Sequence, residues 1–369
     1  MIYIAEWEKE KEKTWSGTTY GLLQALKRKT NIKEIDTRSN TDIIRMYNIM
    51  GSILKYNKLE KNLNFNQFYQ KNNEKYIQKM ISKEKKEKFC LQIGDIATIE
   101  NSFIYQDLSI SLLLYYRKMA KESFCYSGFQ NLSEYELKKR HQIQIERYEH
   151  AKYIFTMSKY LRDFLINNEG MSKDKVIHVG GGTNLPSSDN KNLDIRNRRR
   201  ILFVGRDFKR KGGDLVVEAY RLLKKNKFNN LELYIAGPTK INKHFLEEGI
   251  YFLGDVSSEK LSYYFNLCDI FCMPSKFEAY GLAFIEALSY GMPCIGVNKF
   301  EMPYFIKEGY NGFLLNDMNS VIELAEKIEA LLVSDEIFEN TNTDKSLYKE
   351  EFSWDSVATR IISKINSDA

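Results

Sequence analysis

The chain has 369 residues, of which 43% are hydrophobic and 28% are charged, and its formal net charge is +6 at pH 7. This composition excludes a disordered protein and is sufficient for two domains that each bury a core. The five cysteines and four histidines form no C-x-x-C pair and show no metal-ligand spacing. A structural zinc site is therefore excluded, and a reducing compartment is predicted.

The N-terminal sequence MIYIAEWEKEKEK becomes charged within a few residues, which is not typical of a secretory signal. No run approaches the roughly 18 apolar residues that a membrane span needs. The positive charge reflects either the Lys-, Asn- and Ile-rich composition or an anionic partner, such as a nucleotide or a phospholipid surface. We therefore predict a cytoplasmic location, with peripheral contact at the inner face of an anionic membrane as a further hypothesis.

Short apolar runs alternate with helix-length amphipathic stretches, which is typical of an α/β fold with parallel sheets. In the first half, the predicted strands are MIYIAEW, FCLQIGDIA, SFIYQDL and YIFTMS, and the predicted helices are TTYGLLQALKRK and KYLRDFLINNEG. Ser158 is the expected N-cap of the second helix and Gly170 follows its end. Residues 41–88 are Lys-rich with interspersed apolar residues, so they form either a solvated helix face or a surface for anionic lipid or substrate.

A polar stretch over residues 183–199 is the predicted linker, and the α/β pattern restarts after it. The predicted elements are ILFVG, a helix over 213–225, LELYIAG, IYFLGDV, a helix over 258–267, IFCMPS, a short helix, PCIGV, NGFLL and two further helical segments ending in FSWDSVATRIISKI. Two α/β units of similar size imply a cleft between them. Ligands of such sheets bind beyond the carboxyl ends of the strands, so that cleft is the expected site.

The motifs of several enzyme classes are absent from the sequence. There is no G-x-G-x-x-G after a strand, no P-loop, no G-x-S-x-G elbow and no D-x-D metal–diphosphate motif. In contrast, ILFVGRDFKRKGGD places Arg206 and Lys211 between a strand and a helix start. Arg and Lys at this position suit a diphosphate, and without a metal these cations must neutralise the leaving group; a solvated basic loop is the alternative.

A second motif, KFEAYGLAFIEALSYGMPCIG, contains two glutamates eight positions apart. Glu278 precedes a helix that is predicted to begin near Gly281 and to end before Gly291. Glu286 lies among apolar neighbours on that helix, and a buried carboxylate costs several kcal/mol unless it is hydrogen-bonded. Vicinal ribose hydroxyls would satisfy Glu286 and sugar hydroxyls would satisfy Glu278; the alternative is two surface glutamates without a role.

These motifs resemble those of glycosyltransferase family 4, which has the GT-B fold. That family carries E-x7-E in a context such as E-G-F-G-L-x-x-x-E-A, occupied here by EAYGLAFIEA, and G-R-x4-K-G, matched by residues 206–212. WSGTTYGLLQAL resembles its glycine-bearing loop and first helix, and FSWDSVATRI resembles its final crossing helix. The resemblance covers residues 150–369 well and residues 30–140 in patches.

The resemblance implies an α/β protein of the GT-B fold, with two Rossmann-like domains whose parallel sheets face a central cleft. Residues 1–185, joined by a crossing helix over 353–369, would form the acceptor-side domain, and residues 186–352 the nucleotide-sugar-binding domain. The implied reaction is retaining, metal-independent transfer from a UDP- or GDP-type sugar to a glycan, lipid-linked or protein-linked acceptor, with no cofactor and no nucleic acid. The alternative is a non-catalytic GT-B subunit that binds glycan or a partner transferase.

By position, the resemblance implies that Arg206 and Lys211 hold the diphosphate and stabilise its departure. Glu286 would bind the ribose and Glu278 would contact the transferred sugar. The other implied donor-binding residues are Gly17, Val256, Tyr280, Gly281 and Leu282.

Two departures from the family pattern stand out. Many relatives have a histidine after a strand of the first domain, where this chain has Gln106 and Asp107. Asp107 is expected either to act as a base toward the acceptor or to orient a hydroxyl. Relatives also often have Gly-Gly-x-x-Glu after the short helix, whereas Phe300 and Glu301 replace the glycines here. The sequence therefore leaves the donor sugar open.

Overall fold

A computed structural model of the chain describes residues 1–37, 65, 67–84, 89–186 and 198–367. The chain forms two compact units. Met1–Phe124, Gly128–Gly181 and Val357–Ala369 make up the N-terminal unit, and Cys125–Ser127 and Gly182–Ser356 make up the C-terminal unit. Most of the basic segment at 41–88 and most of the predicted linker at 183–199 lie outside the described residues.

The N-terminal unit is built on a sheet of six parallel strands. They are β1 (Ile2–Ala5), β2 (Lys33–Asp36), β3 (Cys90–Ile93), β4 (Phe103–Gln106), β5 (Tyr153–Thr156) and β6 (Val176–His178). Their order is β2-β1-β3-β4-β5-β6, so the direction of strand succession reverses between β1 and β3. The residues of β1, β4 and β5 are all buried, as expected for a parallel sheet covered on both faces.

Within the described residues, six helices accompany this sheet, and the last helix of the chain belongs to the unit from Val357 onward. They are α1 (Thr18–Lys27), α2 (Gln67–Ile81), α3 (Ile110–Met119), α4 (Lys121–Cys125), α5 (Glu134–His150) and α6 (Lys159–Asn167). The predicted cap of α6 is confirmed, because Ser158 Oγ accepts a hydrogen bond from the N–H of Leu161 at 3.0 Å. α2 lies in the basic segment, and its Tyr69 and Ile77 are buried.

The C-terminal unit contains a second sheet of six parallel strands. They are β7 (Arg200–Val204), β8 (Glu232–Ala236), β9 (Ile250–Gly254), β10 (Ile270–Cys272), β11 (Cys294–Val297) and β12 (Gly312–Leu315). Their order is β12-β11-β10-β7-β8-β9. If β7 to β12 are numbered 1 to 6 and the sheet is read from β9, the order is 3-2-1-4-5-6, which is that of a Rossmann fold. The topological switch point of the sheet lies between β7 and β10. Both sheets are parallel, as the sequence predicts.

The helices of this unit are α7 (Gly213–Asn226), α8 (Ser258–Leu267), α9 (Leu282–Ser289), α10 (Met302–Phe305), α11 (Val321–Leu332), α12 (Asp335–Thr343) and α13 (Lys345–Glu351). The last helix, α14 (Trp354–Asn366), begins in this unit and belongs to the N-terminal unit from Val357 onward. The predictions of α7 and α8 are confirmed. Two helical segments are predicted after NGFLL, but the structure has four, α11 to α14. One cause is a capping serine inside the amphipathic stretch: Ser334 Oγ accepts from the N–H of Ile337 at 3.4 Å, which starts a new helix.

Within the described ranges, no helix combines the length and the apolar character that crossing a membrane requires.

Candidate active site

The loops that follow β7 and β10 meet at the switch point of the second sheet. Lys276 N–H donates to the carbonyl oxygen of Arg210 at 2.8 Å, and Arg210 Nη1 donates to the carbonyl oxygen of Phe277 at 3.1 Å. These bonds join the two loops directly. The crevice beyond the strand ends at a switch point is where open α/β sheets bind ligands.

A glycine at the end of the β7 loop allows this close approach. Gly212 has φ +77°, and a Cβ at this position would lie 2.3 Å from the carbonyl oxygen of Pro274. A second glycine, Gly205, leaves the space that the Lys211 side chain occupies, since a Cβ there would be 2.6 Å from Lys211 Cγ. Gly212 therefore allows the two loops to approach, and Gly205 leaves room for the Lys211 side chain.

Lys211 forms an ion pair with Glu278. The Lys211 ammonium donates to Glu278 Oε2, which also accepts from Ser275 Oγ at 3.3 Å. The side chains are only 14% and 10% exposed, respectively. Burial lowers the pKa of Lys211, and the neighbouring Glu278 carboxylate opposes that shift. The structure thus brings together one predicted cation and one predicted carboxylate in a nearly dry environment.

Arg206 lies in a more open position. Its side chain is 70% exposed, and its Nε lies 3.9 Å from Oδ1 of Asp255, which immediately precedes the half-buried Val256 at the end of β9. Together with Lys209 and Lys240, Arg206 lines a cavity of about 580 Å³. Arg206 therefore presents its guanidinium at this open cavity and is not part of the Lys211–Glu278 pair.

The short helix α9 begins immediately after Glu278. Its N-cap, Gly281, has φ +102° and provides no side chain to cap the first N–H groups, which carry the positive end of the helix dipole. A Cβ at Gly281 would lie 2.9 Å from Met302 Cε. Tyr280 is buried and packs in a T-shaped arrangement against Phe305, with 5.2 Å between the ring centroids, and Leu282 is the first helical residue. The predicted helix start is confirmed.

Glu286 is buried on α9, with an exposure of 7%. Among the described residues, the only hydrogen bond to its carboxyl group is a long one, from the N–H of Asn184 to Oε1 at 3.4 Å. Asn184 is itself held by Trp354, whose Nε1 donates to Asn184 Oδ1 at 2.8 Å. Burial raises the pKa of Glu286 to about 7, and the bond from Asn184 only partly opposes this shift. Burial therefore disfavours the charged form of this carboxyl group, and one long hydrogen bond compensates only part of that cost.

In the N-terminal unit, Gly17 is the N-cap of α1 and has φ +86°. It follows two residues that also have positive φ, Trp15 and Ser16. Gln106 and Asp107 stand at the end of β4 and line a cavity of about 610 Å³. The structure places this cavity beyond the carboxyl ends of β1, β3 and β4.

Sequence reasoning missed three residues that shape the site. Ser275 supports Glu278, Arg210 joins the two loops, and Asn184 contacts Glu286. Ser275 could have been found, because it ends the predicted strand IFCMPS and lies three positions before Glu278. Asn184 could not, because it is 102 positions from Glu286 in the chain. Among the described residues, no group of three or more His, Cys, Asp or Glu side chains is arranged to hold a metal ion.

Comparison with known structures identifies the fold. The apo form of the lipopolysaccharide outer core galactosyltransferase WaaB aligns with a TM-score of 0.68 over 100% of this chain and 99% of that one, at 15% sequence identity. Together with the two parallel sheets, this similarity shows that the chain is an α/β protein of the GT-B fold.

Sequence comparison adds a family match. Residues 186–351 match the family described as Glycosyl transferases group 1. An "Uncharacterized 41.2 kDa protein in cps region" of Klebsiella pneumoniae is 30% identical over 169 residues, which are 42% of this chain and 46% of that protein. D-inositol 3-phosphate glycosyltransferase of Paenarthrobacter aurescens is 28% identical over 217 residues, which are 53% of this chain and 52% of that protein.

The chain thus spans about half the length of the curated relatives it matches. The family match covers the unit that contains Lys211, Glu278 and Glu286. Taken together, the comparisons show the GT-B fold and a match of the C-terminal unit to Glycosyl transferases group 1.

Proposed function

We propose that the chain is a retaining, metal-independent glycosyltransferase of the family 4 type. It transfers a sugar from a UDP- or GDP-type nucleotide-sugar to a glycan, lipid-linked or protein-linked acceptor. The observation that carries this proposal is the buried Lys211–Glu278 pair at the switch point of the second sheet. The match of residues 186–351 to Glycosyl transferases group 1 supports the same activity.

In this reaction, the bond between the anomeric carbon and the β-phosphate oxygen breaks, and a bond to the acceptor oxygen forms on the same face. The acceptor proton passes to the departing phosphate oxygen, and negative charge develops on the diphosphate. Lys211 and the free N–H groups at the start of α9 supply fixed positive charge for this oxygen. Arg206, with its exposed guanidinium, adds a bidentate donor to the outer phosphate oxygens.

Glu278 has two roles in this proposal. Before the donor binds, it balances the charge of Lys211, so the cation is held in position without being hydrated. In the complex it accepts hydrogen bonds from hydroxyls of the transferred sugar. Glu286 accepts hydrogen bonds from the vicinal ribose hydroxyls, and Val256 contacts the base. The backbone of Gly17 meets the phosphates from the N-terminal unit, and Asp107 faces the acceptor.

A thermal-shift panel of UDP-, GDP-, ADP- and dTDP-sugars identifies the donor, and hydrolysis or transfer of that donor then measures the rate. Because Lys211 meets charge that develops in the transition state, Lys211→Ala is expected to lower the rate on the order of a hundredfold. Lys225→Ala, on the exposed side of the following helix α7, is the matched control and should keep the wild-type rate. An undiminished rate for Lys211→Ala contradicts the proposed role.

Two further measurements address the stereochemistry and the metal. The anomeric proton coupling of the product, read by NMR, is expected to match that of the donor. The rate is expected to stay unchanged after dialysis against EDTA. If no nucleotide-sugar raises the melting temperature and none is consumed, the chain is instead a non-catalytic GT-B subunit.

A further inference from the structure

Phe300 has an unusual backbone conformation. It follows strand β11 and has φ +60°. Among the described residues of the C-terminal unit, it is the only non-glycine residue with positive φ. A bulky side chain rarely adopts this conformation, because its Cβ comes too close to the following carbonyl oxygen. The surrounding structure must therefore hold Phe300 in place, and strain of this kind clusters at functional sites.

The ring of Phe300 packs against the loop that carries Glu278. This loop joins β10 to α9 over residues 273–281 and is called the β10 loop below. Phe300 is 3% exposed, and its ring makes a T-shaped contact with that of Phe277, with 5.8 Å between the centroids. Phe277 is also buried, and its carbonyl oxygen accepts the bond from Arg210. Phe300 therefore contacts the β10 loop one residue before the carboxylate.

Two side chains of helix α10 contact the same loop. Met302 Cε lies beside Gly281, since a Cβ on that glycine would be 2.9 Å away from it. Phe305 packs in a T-shaped arrangement against Tyr280. Met302 and Phe305 are both buried. Side chains from residues 300–305 therefore cover the β10 loop at three points.

The position of the β10 loop determines how the two charges of the site meet. Glu278 Oε2 accepts from the Lys211 ammonium and from Ser275 Oγ, and the carboxylate side chain is 10% exposed. Charged groups that stabilise a transition state act through fixed geometry, and a displacement of about 1 Å can lower a rate on the order of a hundredfold. A residue that fixes this loop therefore affects the rate without contacting the substrate.

We propose that Phe300 is a positioning residue for the transfer reaction. Its ring, held in a left-handed backbone conformation, packs against Phe277 and fixes the β10 loop so that Glu278 stays aligned with Lys211. The inference rests on the proposed function, because it concerns the same pair of charges. Phe300 acts through Phe277 and has no contact with the donor in this proposal.

Phe300→Gly removes the ring while the backbone keeps its course, because glycine adopts φ +60° without strain. A misaligned pair weakens an interaction made in the transition state, so kcat and kcat/KM are expected to fall together by about tenfold or more. The KM of the donor is expected to stay within about threefold of wild type. The rate is measured on the donor found in the thermal-shift panel, well below the melting temperature of each variant.

Phe338→Ala is the matched control. Phe338 is a buried ring of the same unit, on α12, where it packs on the guanidinium of Arg198. Its removal is expected to lower the melting temperature and to leave kcat unchanged. If Phe300→Gly likewise lowers only the melting temperature, Phe300 has a structural role and the inference is wrong. If the wild type consumes no nucleotide-sugar, the proposed function fails and the inference fails with it.

The pH dependence of kcat gives a readout that a structural role would not change. Burial lowers the pKa of Lys211, and the Glu278 carboxylate opposes this shift; of the other charged neighbours, Arg210 lowers the pKa and Asp207 raises it. Displacement of Glu278 lowers the pKa of Lys211 further, so the protonated lysine is lost at lower pH. The alkaline limb of the profile is therefore expected to move to lower pH in Phe300→Gly. An alkaline limb at the wild-type position contradicts the inference.

A double-mutant cycle tests the route through Phe277. Phe300→Leu and Phe277→Leu keep apolar side chains at both positions, so they also serve if Phe300→Gly does not fold. Because both changes break the same ring contact, the double variant is expected to lose no more kcat than the more damaged single variant. Losses that multiply in the double variant would show that Phe300 does not act through Phe277. Wild-type kcat in both single variants would also overturn the inference.

Discussion

The ammonium group of Lys211 donates a hydrogen bond to Oε2 of Glu278, across 67 positions of sequence, where β7 and β10 end side by side. Both side chains are largely buried, so each charge depends on the other. Removing one partner of a buried pair strands the other charge, whereas removing both can be nearly neutral. The pair therefore links the stability of the free protein to the chemistry of its site.

A double-mutant cycle tests this dependence. Lys211→Met and Glu278→Gln are each expected to lower the free energy of unfolding by about 3 kcal/mol, because each leaves an unpaired or poorly paired polar group buried. The double variant is expected to recover much of the loss. The exposed pair Lys138–Glu134 on α5, 2.6 Å apart, is the control, and its coupling should stay below about 0.5 kcal/mol. Additive losses at Lys211 and Glu278 would contradict the coupling.

The sequence was sufficient to predict the alternation of strands and helices and the two parallel sheets. Periodicity and glycine positions are local signals, so the start of α9 at Gly281 and the cap at Ser158 follow from a few neighbouring residues. The direct contact between Lys211 and Glu278 is not local. It depends on strand order, because β7 and β10 become neighbours only when the whole sheet has formed.

The contacts of Glu286 likewise could not be predicted from local sequence signals. Its apolar neighbours indicate burial, but its contact with Asn184 comes from a distant segment. The position of Arg206 also depends on a distant segment, because Asp255 on the loop after β9 lies beside its guanidinium. The roles of Glu278, Glu286 and Arg206 in catalysis remain predictions.

The backbone around Lys211 is expected to tolerate no side chain at Gly212. In Gly212→Ala, the left-handed φ of +77° costs about 1–2 kcal/mol, and the contact at 2.3 Å with the Pro274 carbonyl oxygen adds a clash with backbone. Gly254→Ala is the matched control, since Gly254 has φ +70° but open space around its Cβ. Thermal unfolding should show a clearly larger loss for Gly212→Ala. Equal losses would mean that the approach of the two loops is looser than described.

Glu286 is expected to make stability depend on pH. Its folded pKa is about 7, above the value of about 4.3 for an unfolded glutamate, so the folded chain binds more protons between these values. Its contribution therefore makes the free energy of unfolding fall as pH rises from about 4 to 7, by about 3 kcal/mol in total. Glu286→Gln removes this contribution, so the variant should gain stability relative to wild type at pH 8 compared with pH 5. An identical pH dependence in both proteins contradicts the raised pKa.

Nucleotide binding is expected to release a proton from Glu286. Ribose hydroxyls that donate to this carboxyl group favour its charged form, so they lower a pKa that stands at about 7 in the free protein. At pH 7 the group is about half protonated, so binding should release up to about half a proton. Calorimetric titrations of the nucleoside diphosphate in buffers of different ionisation enthalpy measure this number. Because the phosphates also exchange protons, Glu286→Gln is the reference, and the release attributed to Glu286 is the difference between the two proteins. If wild type and Glu286→Gln release equal numbers of protons, the ribose does not bind Glu286, and the buried carboxyl group has a structural role.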